Sequence, residues 1–165
     1  DEGGTGHFFG HPAKSRQMTD RILKRLKADK FTTERVGTIV KYHDLIFEKD
    51  SRLLKKWMNR FTPEVLLEIL EIKRADNFAT GNMTHELEEK FDDIEMMIRE
   101  ILDKEQCFSL KNLAVNGTDV IKAGVVAGPR VGKILDRLLD DVIEGRCENT
   151  HDALAKRIGI YAGLQ

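Results

Sequence analysis

Apolar residues recur every three to four positions along most of this chain, and no stretch alternates as a half-buried strand does. The longest stripe lies between residues 87 and 102 and is wide enough to bury one face of a helix. Its members are Leu87, Phe91, Ile94, Ile98, Ile101 and Leu102. The pattern predicts an all-α fold, an irregular array of about eight to nine helices.

Capping and breaking residues divide this pattern into segments. Lys14 or Ser15 opens a helix that ends near residue 27, and Thr32 or Thr33 caps a second that stops around residue 43. Later helices are predicted over residues 51–59, from Thr62-Pro63 to 76, from Thr84 onward, over 117–123, over 131–143, and from the 150–152 cap to 158. Residues 77–83 read as a linker, and residues 110–113 as a short segment.

Three glycines at four-residue spacing, Gly124, Gly128 and Gly132, precede or open the helix predicted near residue 131. A glycine turn that opens a helix leaves backbone N–H groups unpaired at the positive end of the helix dipole, where phosphate binds readily. Arg130 and Lys133 would add positive charge there. Two interpretations stay open: a contact with a nucleic-acid backbone, or an ordinary corner whose glycines only permit tight turns.

Charge is balanced over the chain but unevenly placed. The 165 residues carry a net charge of −1, so no global basic excess indicates nucleic acid. Residues 14–41 hold nine Lys or Arg against three acids, and residues 85–106 hold nine acids against three bases. This polarity would orient the molecule beside RNA; alternatively, the two segments face each other.

The remaining composition limits the class of protein. Hydrophobic residues make up 41% of the chain, enough for a core, and no apolar run approaches the length of a membrane span. Cys107 and Cys147 lack metal-site spacing and are consistent with reduced thiols, so we expect a cytoplasmic protein.

The C-terminal half of the chain contains a series of motifs, Ser109-Leu110-Lys111-Asn112-Leu113, Asn116-Gly117, Gly124, Gly128-Pro129, Val131-Gly132 and Asn149. This series resembles the C-terminal region of the CCA-adding enzyme family, the tRNA nucleotidyltransferases and related poly(A) polymerases. Its HD-type helical region is similar to residues 7–12, 41–44 and 74–76. The resemblance implies a partial HD-like helical domain over residues 1–80 and a C-terminal helical RNA-binding domain over residues 81–165.

The resemblance also implies a function, that of the RNA-binding helical fragment of an enzyme that adds CCA to the 3′ end of tRNA. The implied RNA-binding residues are Lys111, Asn116, Gly117, Lys122, Gly124, Gly128, Arg130, Gly132 and Lys133. In the family, an N-terminal head domain with an Asp-x-Asp pair binds Mg²⁺, CTP and ATP. This sequence contains no Asp-x-Asp and starts Asp1-Glu2-Gly3-Gly4, like the middle of a longer protein. We therefore expect no catalytic residue and no cofactor within it.

A competing hypothesis is a metal-dependent HD phosphohydrolase or phosphodiesterase acting on nucleotides. His11, His43 and Asp76 resemble three ligands of such a site, and imidazole with carboxylate suits a divalent transition metal. The adjacent His-Asp pair that should precede them is missing. In the alternative interpretation, His11 caps a turn and His43 packs near a helix end.

Two further features were open to more than one interpretation. Trp57 and Phe61 lie near Lys55, Lys56 and Arg60, which suits stacking on RNA, although aromatic residues at helical spacing usually belong to a core. The stripe over residues 87–102 would also serve a helical scaffold that dimerises. The oligomeric state does not follow from the sequence.

Overall fold

The computed structural model describes residues 11–163, except for the side chain of His11. Eight α-helices lie within this range, and none of the described residues is in a strand. They are α1 (His11–Arg25), α2 (Lys30–Tyr42), α3 (Ser51–Phe61), α4 (Pro63–Ala79), α5 (His85–Asp103), α6 (Gly117–Lys122), α7 (Pro129–Ile143) and α8 (His151–Ala162). A single 3₁₀ turn covers Leu110–Asn112. The all-α prediction is confirmed.

Two helices begin at their predicted caps, whereas α1 already includes His11, ahead of the predicted start at Lys14 or Ser15. Thr84 accepts a hydrogen bond from the Leu87 N–H at 3.2 Å, and Thr150 accepts one from the Ala153 N–H, as the sequence predicted. The prediction of Thr32 or Thr33 as the cap of α2 is wrong. Asp29 is the cap, because its carboxylate accepts both the N–H of Thr32 at 2.9 Å and the Thr32 hydroxyl.

Three helices run further than predicted, and the first of them, α3, ends at Phe61 rather than at residue 59. α4 continues to Ala79, through the first part of the predicted linker, and within this extension the Asn77 side-chain amide donates to the Lys73 carbonyl at 2.8 Å. α8 continues past Ile158 to Ala162 and ends at Gly163, which has a φ of 74°. A glycine in the left-handed conformation is the usual stop for a helix.

The chain divides into two compact units that do not follow sequence order. One comprises the described residues up to Phe47 with Glu64–Glu95, and the other comprises Glu48–Pro63 with the described residues from Met96. Helix α5 contributes to both units. The functional division after residue 80 stays a prediction.

In the first unit, α1 packs against α2, and α4 and the first half of α5 contribute buried side chains. Gly37 is buried, and a Cβ built there would lie 2.3 Å from Cζ of Arg16, so the absence of a side chain makes room for that guanidinium. Two ion pairs link its helices, Arg35 to Glu68 at 2.6 Å and Arg74 to Asp92 at 2.7 Å. Its most deeply buried side chains are Leu66, Ile69, Leu70 and Ile94.

The second unit contains a core formed by α6, α7 and α8. Its buried members are Val115, Val120, Val125, Ile134, Leu138, Leu154 and Ile158.

The α5 stripe predicted from the sequence is largely buried within the chain, at Phe91, Ile94, Ile98 and Ile101. Dimerisation through the face of α5 stays a prediction.

Candidate nucleic-acid interface

The candidate interface is a corner between α6 and α7, and it begins with a tightly capped short helix. Asn116 accepts a hydrogen bond from the Thr118 N–H at 2.8 Å, while Asp119 accepts one from the Asn116 N–H at 2.8 Å. This reciprocal pair is a capping box. Gly124, with a φ of 94°, ends α6 by donating its N–H to the Ile121 carbonyl at 2.9 Å.

α7 begins at Pro129, two residues before the predicted start, because proline suits the first helical position. The residue before it, Gly128, has a φ of 152° and no side chain to cap the first-turn N–H groups. Gly124, Gly128 and Gly132 are all exposed, and a Cβ built on Gly128 or Gly132 meets no atom within 4 Å. The corner is therefore open, with space for an anion beside the α7 N-terminus.

The glycines of the motif have different local roles. Gly124 and Gly128 adopt positive φ values that other residues rarely reach, so the turn itself requires them. Gly132 lies inside the first turn of α7 on the open surface, where the helix has no conformational need of glycine. Gly117 is half-buried, and its Cβ would meet Val131 Cγ1 at 3.4 Å, an ordinary van der Waals contact, so packing does not require glycine there.

The cations near the corner are also unequal. Lys111, Lys122 and Lys133 are exposed. Arg130 is exposed too, but one of its guanidinium nitrogens donates to the Ala162 carbonyl at 3.0 Å, near the C-terminal end of α8. A guanidinium group has five N–H donors, and the bond to Ala162 uses one of them. Arg130 therefore links α7 to α8 while keeping donors for another ligand.

Asn149 is a positioning residue whose role the sequence did not reveal. Its amide donates to the Asn112 carbonyl at 2.7 Å, and its carbonyl oxygen accepts from the Ala114 N–H at 2.9 Å. Ser109 in turn donates to the Asn112 side chain at 2.7 Å. These bonds fix the chain after the 3₁₀ turn against the start of α8. The motif Ser-Leu-Lys-Asn-Leu was visible in the sequence, but its hydrogen-bond partner Asn149 lies 37 residues after Asn112.

A buried carboxylate near the C-terminal end of α7 joins this helix to α8. Asp141 is 4% exposed, receives a hydrogen bond from the Tyr161 hydroxyl, and pairs with Arg146 at 2.8 Å and Arg157 at 3.6 Å. Burial by itself raises the pKa of Asp141, but the hydrogen bonds from Tyr161 and Arg146 and the charges of both arginines outweigh it and hold the pKa below its usual range. The sequence did not single out Asp141, because Asp140 and Asp141 are adjacent aspartates in the same helical pattern. Only the structure shows that Asp140 is exposed and Asp141 is buried.

Comparison with known proteins decides the family. Residues 11–158 match the family model described as tRNA nucleotidyltransferase domain 2, putative. The chain belongs to this family.

Two relatives agree with that assignment. A CC-adding tRNA nucleotidyltransferase of Thermus thermophilus is 26% identical over 155 residues, which cover 93% of this chain and 34% of that protein. A CCA-adding enzyme of Limosilactobacillus fermentum is 49% identical over 47 residues, 28% of this chain and 12% of that protein. The chain thus spans about a third or less of these relatives. No solved structure matches significantly.

The residues predicted as metal ligands are only partly described in this family member. His43 Nδ1 lies 2.7 Å from the Val40 carbonyl, and its Nε2 lies 3.5 Å from Asp44. Asp76 is exposed on α4, and the side chain of His11 falls outside the described atoms. Between residues 12 and 163, no three His, Cys, Asp or Glu side chains form a group able to hold a metal. The three-residue set stays a prediction.

The aromatic pair on α3 divides between core and surface. Phe61 is buried, whereas Trp57 is half-buried and stacks on it with ring centroids 5.4 Å apart. Arg60 lies over both rings, 5.7 Å from the Trp57 centroid. RNA stacking at this pair stays a prediction.

Over the described range, no helix is both long and apolar enough to cross a membrane.

Proposed function

We propose that this chain is the RNA-binding helical part of a tRNA nucleotidyltransferase, and that it holds tRNA while a separate head domain extends the 3′ end. The head domain would bind CTP, ATP and Mg²⁺, and the protein would act in the cytoplasm. What carries the proposal is the exposed, uncapped start of α7 in a chain that belongs to this family. The names of the relatives, a CCA-adding and a CC-adding enzyme, support the same partner.

The geometry suits recognition of an RNA backbone. Pro129 has no N–H, and the Val131 N–H donates to the Gly128 carbonyl at 3.0 Å. A phosphate at the α7 N-terminus would therefore meet the Arg130 N–H, the positive end of the helix dipole and the ammonium group of Lys133. Open space above Gly128 and Gly132 allows the strand to approach the backbone closely. Contacts of this kind read shape and charge, which suits a protein that must accept many tRNA sequences.

Lys133 provides the cleanest test, because Arg130 also bonds to Ala162 and its removal would disturb α8. Lys133→Ala is expected to weaken binding of a tRNA transcript and to reduce the slope of log affinity against log salt by about 1. Lys104→Ala, at an exposed lysine that pairs with Glu100, is the matched control. Equal salt slopes for both variants and the wild type would refute the proposed phosphate contact.

A second measurement separates binding from catalysis. The 165-residue chain, incubated with Mg²⁺, labelled CTP and ATP and a tRNA that lacks its CCA end, is expected to bind the tRNA without lengthening it. Incorporation of label would show that the chain carries its own catalytic site and would refute the assignment of catalysis to a separate domain.

A further inference from the structure

A cavity of about 310 Å³ lies between α6 and α8, beside the glycine corner. Its lining residues all belong to the second unit, and they are Asp119, Lys122, Ala123, His151, Ala155 and Ile158. Lys122 and Ala123 directly precede Gly124 in the chain. Neither the family match nor the names of the relatives assigns any role to this cavity.

The lining combines apolar and polar groups in a way that fits one nucleotide. Ala123 and Ala155 supply the accessible apolar patch, since Ile158 also lines the cavity but is only 1% exposed. Lys122 supplies an exposed ammonium group at the rim. A cavity near 300 Å³ is at the lower end for a small-molecule site, and this one is open to solvent, so it suits one unit of a longer strand better than a free metabolite.

Asp119 and His151 can recognise hydroxyl groups. One carboxylate oxygen of Asp119 accepts the Asn116 N–H, while the other lies 4.0 Å from His151 Nε2, too far for a hydrogen bond. That oxygen keeps acceptor capacity for another donor. The His151 ring is 62% exposed, and its Nδ1 lies 3.8 Å from Asp152, itself almost fully exposed. A hydroxyl between the carboxylate and the imidazole would bridge the gap that separates them.

We propose that this cavity binds one ribonucleotide of the tRNA and recognises its ribose 2′-hydroxyl through Asp119 and His151. Lys122 contacts the adjoining phosphate, and the apolar patch contacts the sugar or the base. The inference rests on the proposed function, since the strand must already lie against the corner. The 2′-hydroxyl is both donor and acceptor and is the group that distinguishes RNA from DNA.

The test uses an RNA hairpin with the sequence of a tRNA acceptor and T arm, and the same hairpin with 2′-fluoro sugars. Fluorine keeps the A-form geometry but removes the hydroxyl donor. We expect the wild-type chain to bind the hydroxyl hairpin about 5-fold more tightly, as loss of about one hydrogen bond implies. His151→Ala and Asp119→Asn should lower this ratio to below about 2, while His85→Ala, at an 81% exposed histidine on α5, should keep it.

The outcomes distinguish this inference from the proposed function. Asp119→Asn retains an acceptor for the cap of α6, and His151 is exposed, so at least the histidine variant should fold normally. If both variants keep the wild-type ratio while Lys133→Ala still weakens both hairpins, the cavity does not read the ribose and the inference fails alone. If the wild-type chain binds neither hairpin, the proposed function and the inference both fail.

Discussion

The Asp141 carboxylate offers the sharpest test of how α7 and α8 are held together. We predict that Asp141→Asn destabilises the chain far more than the same change at Asp140, its exposed neighbour. The two side chains are equal in size and charge and differ only in their surroundings. Asp141 faces Tyr161, Arg146 and Arg157, so the substitution removes the charge that all three use.

The magnitude follows from these contacts. Breaking a buried ion pair by removing one partner costs about 3–5 kcal/mol. Arg146 is 52% exposed and regains hydration when its partner becomes neutral, so the cost should fall below that range. Asparagine keeps one oxygen that can accept from Tyr161. We therefore expect a loss of about 2–3 kcal/mol in the free energy of unfolding, against less than about 0.5 kcal/mol for Asp140→Asn.

Urea unfolding followed by circular dichroism and by the fluorescence of Trp57, the single tryptophan, measures both variants. Trp57 lies in the same compact unit as Asp141, so its signal reports on that unit. A midpoint shift for Asp141→Asn no larger than that for Asp140→Asn would refute the view that this carboxylate fastens α7 to α8.

The same carboxylate gives a dependence on pH with a definite sign. Its pKa is lower in the folded chain than the value of about 3.9 expected when unfolded, so its contribution is complete above that pH and is lost as the pH falls towards the folded pKa. The stability difference between the wild type and Asp141→Asn should therefore shrink below about pH 4. A difference that stays constant from pH 7 to pH 3 would contradict this reasoning.

Three other predictions concern single positions. Gly132→Ala should stabilise the chain by about 0.5–1 kcal/mol, whereas Gly128→Ala, at a φ of 152°, should destabilise it by about 1–2 kcal/mol; thermal unfolding of both variants checks the opposite signs. Asn149→Ala removes two backbone-directed hydrogen bonds and should cost about 2 kcal/mol in urea unfolding, with a change below 0.5 kcal/mol contradicting its positioning role. Burial raises the pKa of the Cys107 thiol, so a thiol reagent at neutral pH should modify Cys147 first, as peptide mass mapping would show.

Gly132→Ala also distinguishes two roles of glycine in this corner, which are to permit a tight turn and to let RNA approach the backbone. If RNA approaches the backbone there, Gly132→Ala should weaken tRNA binding even as it stabilises the fold. If Gly132→Ala and the wild type bind tRNA with equal affinity, RNA does not approach the backbone closely at Gly132, and such an approach is limited to Gly128 and its neighbours.

The sequence predicted those features of the structure that depend on residues close together in the chain. The spacing of apolar residues predicted the helices, and Thr84 and Thr150 predicted two of their starts. The missed cap of α2 has a local cause too, because Asp29 and Thr32 are both capping residues three positions apart and Asp29 is the one that accepts the N–H. The glycine corner was found because its spacing is itself a local signal.

What the sequence by itself determined is therefore the helical class, most helix positions, the family resemblance and the location of the corner. The tertiary structure alone decided which of two adjacent aspartates is buried, that Asn149 holds residues 112–114, that Arg130 bonds to the end of α8, and that a cavity opens between Asp119 and His151. The physical reason is distance along the chain. Helix formation depends on residues within about four positions, whereas the hydrogen bonds made by Asp141, Arg130 and Asn149 join residues 20 to 37 positions apart.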